Sequence, residues 1–90
     1  MYILSPYDGG RGFDSRVTVV IAAKGERVLR NQETYVAAVD KKRNFFRLWK
    51  GTGKEVMRQV NCFRLERKLQ PISKKEWDAM PITDSGFLSL

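Results

Sequence analysis

Short apolar runs separated by turn-forming residues occupy the first third of the chain, the pattern expected of strands in a β-sheet. Residues 16–23 are almost continuously apolar and rich in β-branched side chains, which predicts a central strand. Residues 2–4 and 26–30 are weaker strand candidates, bounded by a glycine-rich loop over residues 8–12 and by a Lys24-Gly25 turn. The pattern therefore predicts three strands in this third of the chain.

Two periodicities fit residues 33–50, and they predict different structures. As a helix, the segment has an amphipathic pattern. As a hairpin, residues 34–39 and 44–49 form two strands around a charged turn over residues 40–44. We favour the hairpin, because β-branched and aromatic residues flank the turn and because a helix would bring Lys42 onto the apolar face.

The same ambiguity recurs over residues 55–69. Phe63 and Leu65 alternate with polar neighbours, which indicates a strand, whereas Val56 and Val60 together with Phe63 fit a helix. We expect a strand here.

A helix start is signalled near the C-terminus. Ser73 is a predicted N-cap, and Glu76, three residues later, completes a capping box. A short helix over residues 74–80 should therefore follow and end at Pro81. Residues 83–90 are mostly small and polar, which predicts a C-terminal tail.

Together these elements predict a single small basic α+β domain over residues 1–82. We expect mainly an antiparallel sheet or small open barrel of four to five strands, with one short C-terminal helix. The alternative is a strand followed by a helical hairpin formed by residues 33–50 and 54–68.

Composition excludes several kinds of site. The 90 residues include no histidine and a single cysteine, so a Ser-His-Asp triad, a Cys-His dyad, a zinc cluster and an internal disulfide are all ruled out. Gly51-Thr52-Gly53-Lys54 does not match a phosphate-binding loop, because Leu48 and Glu55 replace the glycine and the hydroxyl residue that such a loop needs. Capping and solvation account for the closest carboxylate pairs, so we predict a protein that is not an enzyme and uses no cofactor or metal.

The chain also lacks the features of export or membrane insertion. Its longest apolar run, residues 17–23, is far shorter than the roughly 20 residues that a spanning helix requires. No secretory signal is visible at the start, and a lone cysteine is typical of a reducing compartment. We therefore expect a cytoplasmic protein without a membrane partner.

The distribution of charge is the most informative feature of the sequence. Residues 41–68 contain ten basic and two acidic residues, a net charge of +8, while the rest of the chain has a net charge of −1. Such a concentration of positive charge attracts polyanions. This predicts a nucleic-acid-binding module, with RNA or single-stranded DNA favoured over duplex DNA.

Aromatic residues lie among these basic residues. If residues 44–49 form a strand, Phe45, Arg47 and Trp49 share one face, and an open face of this kind would stack unpaired bases. A shift of one residue in register would bury them instead. The predicted nucleic-acid-binding residues are Lys41, Lys42, Arg43, Phe45, Arg47, Trp49, Lys50, Lys54, Arg58, Arg64, Arg67 and Lys68.

Two other functions are compatible with a small basic protein. It could be an adaptor or inhibitor whose basic face binds an acidic surface of a partner protein or enzyme. A third hypothesis is a ribonuclease that uses Lys, Arg and carboxylate groups, and it rests only on the basic charge and small size of the chain. No residue pattern demands a particular oligomeric state.

Overall fold

A computed structural model describes all residues of the chain, 1–90, and shows a five-stranded antiparallel sheet with one main helix and one short helix. The strands pair in sequence order as an antiparallel meander, so the predicted α+β fold is confirmed. The strands are β1 (Tyr2–Ile3), β2 (Val17–Ile21), β3 (Arg27–Asn31), β4 (Thr34–Val39) and β5 (Phe45–Arg47).

The favoured hairpin over residues 34–49 is confirmed. Ala38 pairs with Phe46 and Val39 with Phe45, which sets the register of β4 against β5. The charged turn is held by Asp40, whose Oδ1 accepts hydrogen bonds from the backbone amides of Lys42 and Asn44, each at 2.9 Å. The carboxylate thus supplies hydrogen-bond acceptors for two backbone amides of the turn.

The expected strand over residues 55–69 is wrong, because the segment forms the helix α1 (Lys54–Glu66). Met57, Val60 and Phe63 are buried against the sheet at helical spacing. The alternation around Phe63 reflects local composition only. The helical-hairpin alternative is therefore right about this segment and wrong about residues 33–50.

The short C-terminal helix is confirmed as α2 (Lys74–Ala79), with Ser73 as its N-cap. Both halves of the capping box form, since Ser73 Oγ accepts from the Glu76 amide and Glu76 accepts from the Ser73 amide. Trp77 is fully buried, and its Nε1 donates to the Gly51 carbonyl at 2.9 Å. The indole thus anchors α2 to the loop that precedes α1.

The sheet is covered on both faces. On one face, Val19, Leu29 and Ala37 pack against α1 and α2 in the main core. On the other, Val28 and Ala38 are covered by Leu88, which lies just after a 3₁₀ turn (Ser85–Phe87).

Residues 83–90, expected to be a tail, are therefore docked on the sheet. The Thr83 amide donates to the Arg47 carbonyl at 2.7 Å, and the Ala23 amide donates to the Ser89 carbonyl at 3.1 Å.

Candidate nucleic-acid interface

The predicted stacking platform of Phe45, Arg47 and Trp49 faces the helices, not solvent. The Phe45 ring packs edge-on against Trp77 with centroids 6.2 Å apart, and the Arg64 guanidinium lies 4.6 Å above the same ring. Trp49 is half-buried, and its ring lies against Gly51. The expectation of an open aromatic face is wrong, because this side of β5 packs against the main core.

Arg47 illustrates the same outcome at one side chain. It is only 6% exposed, and its guanidinium stacks 4.6 Å over the Trp77 ring. Its nitrogens donate to the carbonyls of Trp49 at 2.9 Å, Lys50 at 2.8 Å and Trp77 at 2.8 Å. Because its donors already bond backbone carbonyls, Arg47 cannot bind a phosphate in the present arrangement.

The opposite face of β5 is not open either. Phe46 packs on Phe87 with ring centroids 5.0 Å apart, and Leu48 belongs to the cluster formed around Leu88. Neither register of this strand therefore leaves an aromatic pair free for stacking.

Basic residues that are separated in sequence converge at one end of the sheet. The turn between β4 and β5 meets the C-terminus of α1 there, where Arg43 Nη2 donates to the Lys68 carbonyl at 2.6 Å. The turn between β2 and β3 lies at the same end, because Arg27 pairs with Val39. We call this region the cationic end; its basic residues are Lys24, Arg27, Lys41, Lys42, Arg43, Arg64, Arg67 and Lys68.

Sequence reasoning predicted six of these eight residues and missed Lys24 and Arg27. Both lie outside the basic block and join it only through strand pairing. The signal that would have found them is the predicted meander itself, in which alternate turns fall at the same edge of the sheet.

Two of the three acidic residues at the cationic end are buried, and the third, Asp40, is bonded to its own turn. Glu26 is 8% exposed, and the Glu66 side chain is 6% exposed. Backbone and side-chain hydrogen bonds from Asn44 hold the pKa of Asp40 below its usual range. The cations are mostly exposed, and the net charge of this end is +5 out of +7 for the chain.

Glu66 has a neutral partner that keeps it in place. The Tyr2 hydroxyl donates to Glu66 Oε1 at 2.6 Å, across 64 residues of sequence. Partial burial, followed by this hydrogen bond, raises the pKa of Tyr2 to about 12. The phenol therefore helps to fix the Glu66 carboxylate, which also pairs with Arg67 at 3.4 Å.

Two of the basic residues occupy backbone conformations that usually favour glycine or asparagine. Arg43 has φ of 69° and Lys68 has φ of 62°. Lys68 follows α1, where its amide bonds the Leu65 carbonyl and the Leu69 amide bonds the Arg64 carbonyl. This is a Schellman motif in which lysine replaces the usual glycine.

The remaining predicted residues lie elsewhere. Lys50 and Lys54 are exposed near the start of α1, about 20 Å along the helix from Lys68. Arg58 forms an ion pair with Asp8 at 2.8 Å, which holds the pKa of that carboxyl well below its usual range. The twelve predicted residues thus divide into a group at the cationic end, an inward group and a group along the first half of α1 and the loop before it.

The cysteine thiol is buried, and two of the carboxylates form ion pairs within the protein. Cys62 is fully buried, and burial raises the pKa of its thiol. Asp78 is paired with Lys74 at 2.8 Å and Asp14 with Arg16 at 2.9 Å. No three Cys, Asp or Glu side chains come together as a set of metal ligands.

None of the helices combines the length and the apolar character that crossing a bilayer requires. Comparison of the chain with protein-family models, with curated proteins and with solved structures found no match. The position and partners of the charged side chains are therefore the basis for inferring function.

Proposed function

We propose that the protein is a non-enzymatic nucleic-acid-binding module that holds single-stranded RNA or DNA at its cationic end. The observation that carries this proposal is the convergence of eight basic side chains at one end of the sheet, while the three acidic side chains there are buried or bonded to the protein. Only Arg67 among the eight is ion-paired, with Glu66 at 3.4 Å. Arg27, Arg43 and Arg64 each donate to a carbonyl of the protein. The exposed lysines form no side-chain hydrogen bond and are available to phosphate oxygens; they are Lys24, Lys41, Lys42 and Lys68.

The buried aromatic residues favour contact with the phosphate backbone. With Phe45 and Trp49 packed inward, affinity at this end comes from charge and carries little sequence preference. Grooves of about 320 Å³ and about 420 Å³ flank the turn between β4 and β5. Volumes of this size fall within the range of small-ligand sites.

Left-handed backbone at Arg43 and Lys68 also supports a binding role. A side chain with a Cβ in this conformation costs about 1 kcal/mol or more relative to glycine. The Arg43 side chain offsets this cost by its bond to the Lys68 carbonyl. The Lys68 side chain forms no hydrogen bond, so it opposes stability while adding positive charge, as expected of a residue kept for binding.

A charge-reversal experiment tests the proposal. Lys41, Lys42 and Lys68 are exposed and are replaced together by Glu, while Arg43 and its bond to Lys68 are kept. Binding of a fluorescent single-stranded oligonucleotide is measured between about 50 mM and about 200 mM salt. We expect at least about a tenfold loss of affinity, and a fall of about 2 in the slope of log affinity against log salt, since three phosphate contacts disappear.

The matched control reverses Lys50, Lys54 and Lys75, which are equally exposed but lie away from the cationic end. This variant has the same net charge, so it should lose much less affinity. Equal losses in the two triple variants, or no binding by the unaltered protein at low salt, would contradict the proposal.

The adaptor hypothesis has one specific observation in its favour. Ile21 is 48% exposed at the end of β2, directly beside its pairing partner Arg27. A protein partner docked on these cations would bury the Ile21 side chain at the same time. Ile21→Ser should weaken such a protein complex while leaving oligonucleotide affinity unchanged, and the opposite pattern would remove this alternative.

A further inference from the structure

A second polar groove lies away from the cationic end, between α1, the end of β3 and the loop that precedes β2. Its volume is about 490 Å³, within the range of small-ligand sites. Polar side chains dominate its lining, and the residues used below are Arg11, Phe13, Asn31, Arg58 and Gln59.

Two amide side chains on the groove wall satisfy each other only in part. Asn31 Nδ2 donates to Gln59 Oε1 at 3.2 Å, and Gln59 is only 6% exposed. This leaves Gln59 Nε2 as a donor and Asn31 Oδ1 as an acceptor without partners in the protein. If both amides are turned over, the bond survives and one donor and one acceptor still remain free.

Both free groups can be reached from the groove, since neither is among the buried polar atoms that lack a partner. Here the two free groups are adjacent, because one bond joins the amides that carry them. An adjacent donor and acceptor match the hydrogen-bonding edge of a nucleobase, which presents the complementary pair.

The neighbouring cations have a geometry that fits the rest of a nucleotide. The Arg58 guanidinium lies 4.3 Å from the centre of the Phe13 ring and donates hydrogen bonds to Asp8 and to the carbonyl of Arg11. A planar guanidinium fixed in this way offers a stacking surface for a base. Arg11 is exposed and its side chain forms no ion pair, so it is free for a phosphate.

We propose that this groove binds one nucleotide, with the edge of its base on Asn31 and Gln59, its ring beside Arg58 and its phosphate near Arg11. A free mononucleotide and an unpaired nucleotide within a strand present the same chemistry. The inference rests on contacts that are independent of the cationic end. Gln59 lies nine residues before Lys68, about 14 Å along the helix, so one strand can reach both sites.

Side-chain amide NMR signals test the site directly. The full chain is titrated with each of the four ribonucleoside monophosphates, with the trinucleotides UUU and AAA, and with ribose 5-phosphate. We expect saturable shifts of the Asn31 and Gln59 amide protons with at least one base-containing ligand and none with ribose 5-phosphate. Shifts of equal size with ribose 5-phosphate, or no shifts with any base-containing ligand, would overturn the proposal.

A substitution separates the amide contact from general effects of charge. Gln59→Met keeps the side-chain length and removes both the free donor and the oxygen that positions Asn31, so affinity should fall by about tenfold or more. Gln70→Met, at the exposed end of the chain segment after α1, is the matched control and should change affinity little. Equal affinities for the Gln59→Met variant and the unaltered protein would contradict the inference. If this variant does not fold, the NMR titration of the unaltered protein decides between binding and no binding.

The two ligand sources and the two proposals are separable by the same titrations. Binding of mononucleotides supports a free nucleotide as the ligand, and binding that begins with trinucleotides supports a nucleotide within a strand. Reversal of Lys41, Lys42 and Lys68 should leave mononucleotide shifts unchanged while weakening long oligonucleotides. Loss of long-strand binding with intact shifts at Asn31 and Gln59 therefore tests the cationic end alone.

Discussion

Lys68 combines an unfavourable backbone conformation with an exposed charge. Its φ of 62° suits glycine, and its carbonyl, not its side chain, receives the hydrogen bond from Arg43. The side chain therefore contributes little to the fold. Stability and binding should respond in opposite directions when it is removed.

Lys68→Gly is expected to raise the free energy of unfolding by about 0.5–1 kcal/mol, because glycine adopts this conformation without a steric penalty. The same change should weaken oligonucleotide binding and lower the salt slope by about 0.7, since one phosphate contact is lost. Urea denaturation and fluorescence titration measure the two effects.

Lys68→Arg is the control for charge, and it should retain both stability and affinity. A glycine variant that binds as tightly as the unaltered protein would show that this lysine takes no part in binding.

Among the elements, β5 and α2 are joined by the guanidinium of Arg47. The side chain donates to carbonyls in the loop after β5 and to the Trp77 carbonyl in α2. No carboxylate forms an ion pair with Arg47, so backbone carbonyls and the Trp77 ring are the groups in direct contact with the buried charge. This arrangement makes Arg47 a structural residue in spite of its place in the basic block.

Arg47→Lys should lower the free energy of unfolding by about 2–4 kcal/mol, because an ammonium group cannot reach several carbonyls in one plane. Lys50→Met, at an exposed neighbour whose side chain forms no hydrogen bond, should change stability by less than about 0.5 kcal/mol. Urea denaturation compares the two. A stable Arg47→Lys variant that has lost oligonucleotide binding would instead indicate a direct role in recognition.

On the scale of the whole molecule, several carboxylates form hydrogen bonds and ion pairs that stabilise a chain with an excess of positive charge. Asp8 ties the loop after β1 to α1 through Arg58, and hydrogen bonds hold the pKa of Asp8 below its usual range. The pKa values of Asp14, Asp40 and Asp78 are lowered by hydrogen bonds in the same way. Each carboxylate binds its proton more weakly in the folded protein than in the unfolded chain.

Acid should therefore destabilise the fold. Carboxyl groups with depressed pKa values stabilise the protein above the unfolded pKa of about 3.9, and this contribution disappears as pH falls through the lower folded values. The urea midpoint should be flat near neutrality and decline below about pH 4. Asp8→Asn should make the decline shallower, whereas Glu33→Gln, at an exposed carboxylate without a hydrogen bond, should leave it unchanged. A midpoint that rises on acidification would contradict the expectation.

Local interactions explain which elements could be predicted. The turn at Asp40 and the capping box of Ser73 and Glu76 are closed by residues within four positions of each other, so their signals are complete in the sequence. The prediction of a strand in place of α1 rested on the alternation around Phe63 and Leu65. Gln59 and Asn61 interrupt the apolar stripe that would have indicated a helix. Their partners, Asn31 and the backbone of Ile72, are distant in sequence, and only the folded chain makes these polar positions suitable for burial.

Alternation of apolar residues, turn chemistry and the excess of basic residues belong to the sequence itself, and they determined the antiparallel meander, the capped helix and the cationic character of the protein. Which face of β5 is buried was decided by tertiary structure, because both faces carry aromatic residues and the positions of Trp77 and Phe87 settle what each one meets. The composition of the cationic end was likewise decided by strand pairing, which adds Lys24 and Arg27 to it, while hydrogen bonding in the core removes Arg47. Charge depends on composition, but its availability to a ligand depends on which partners the fold brings within reach.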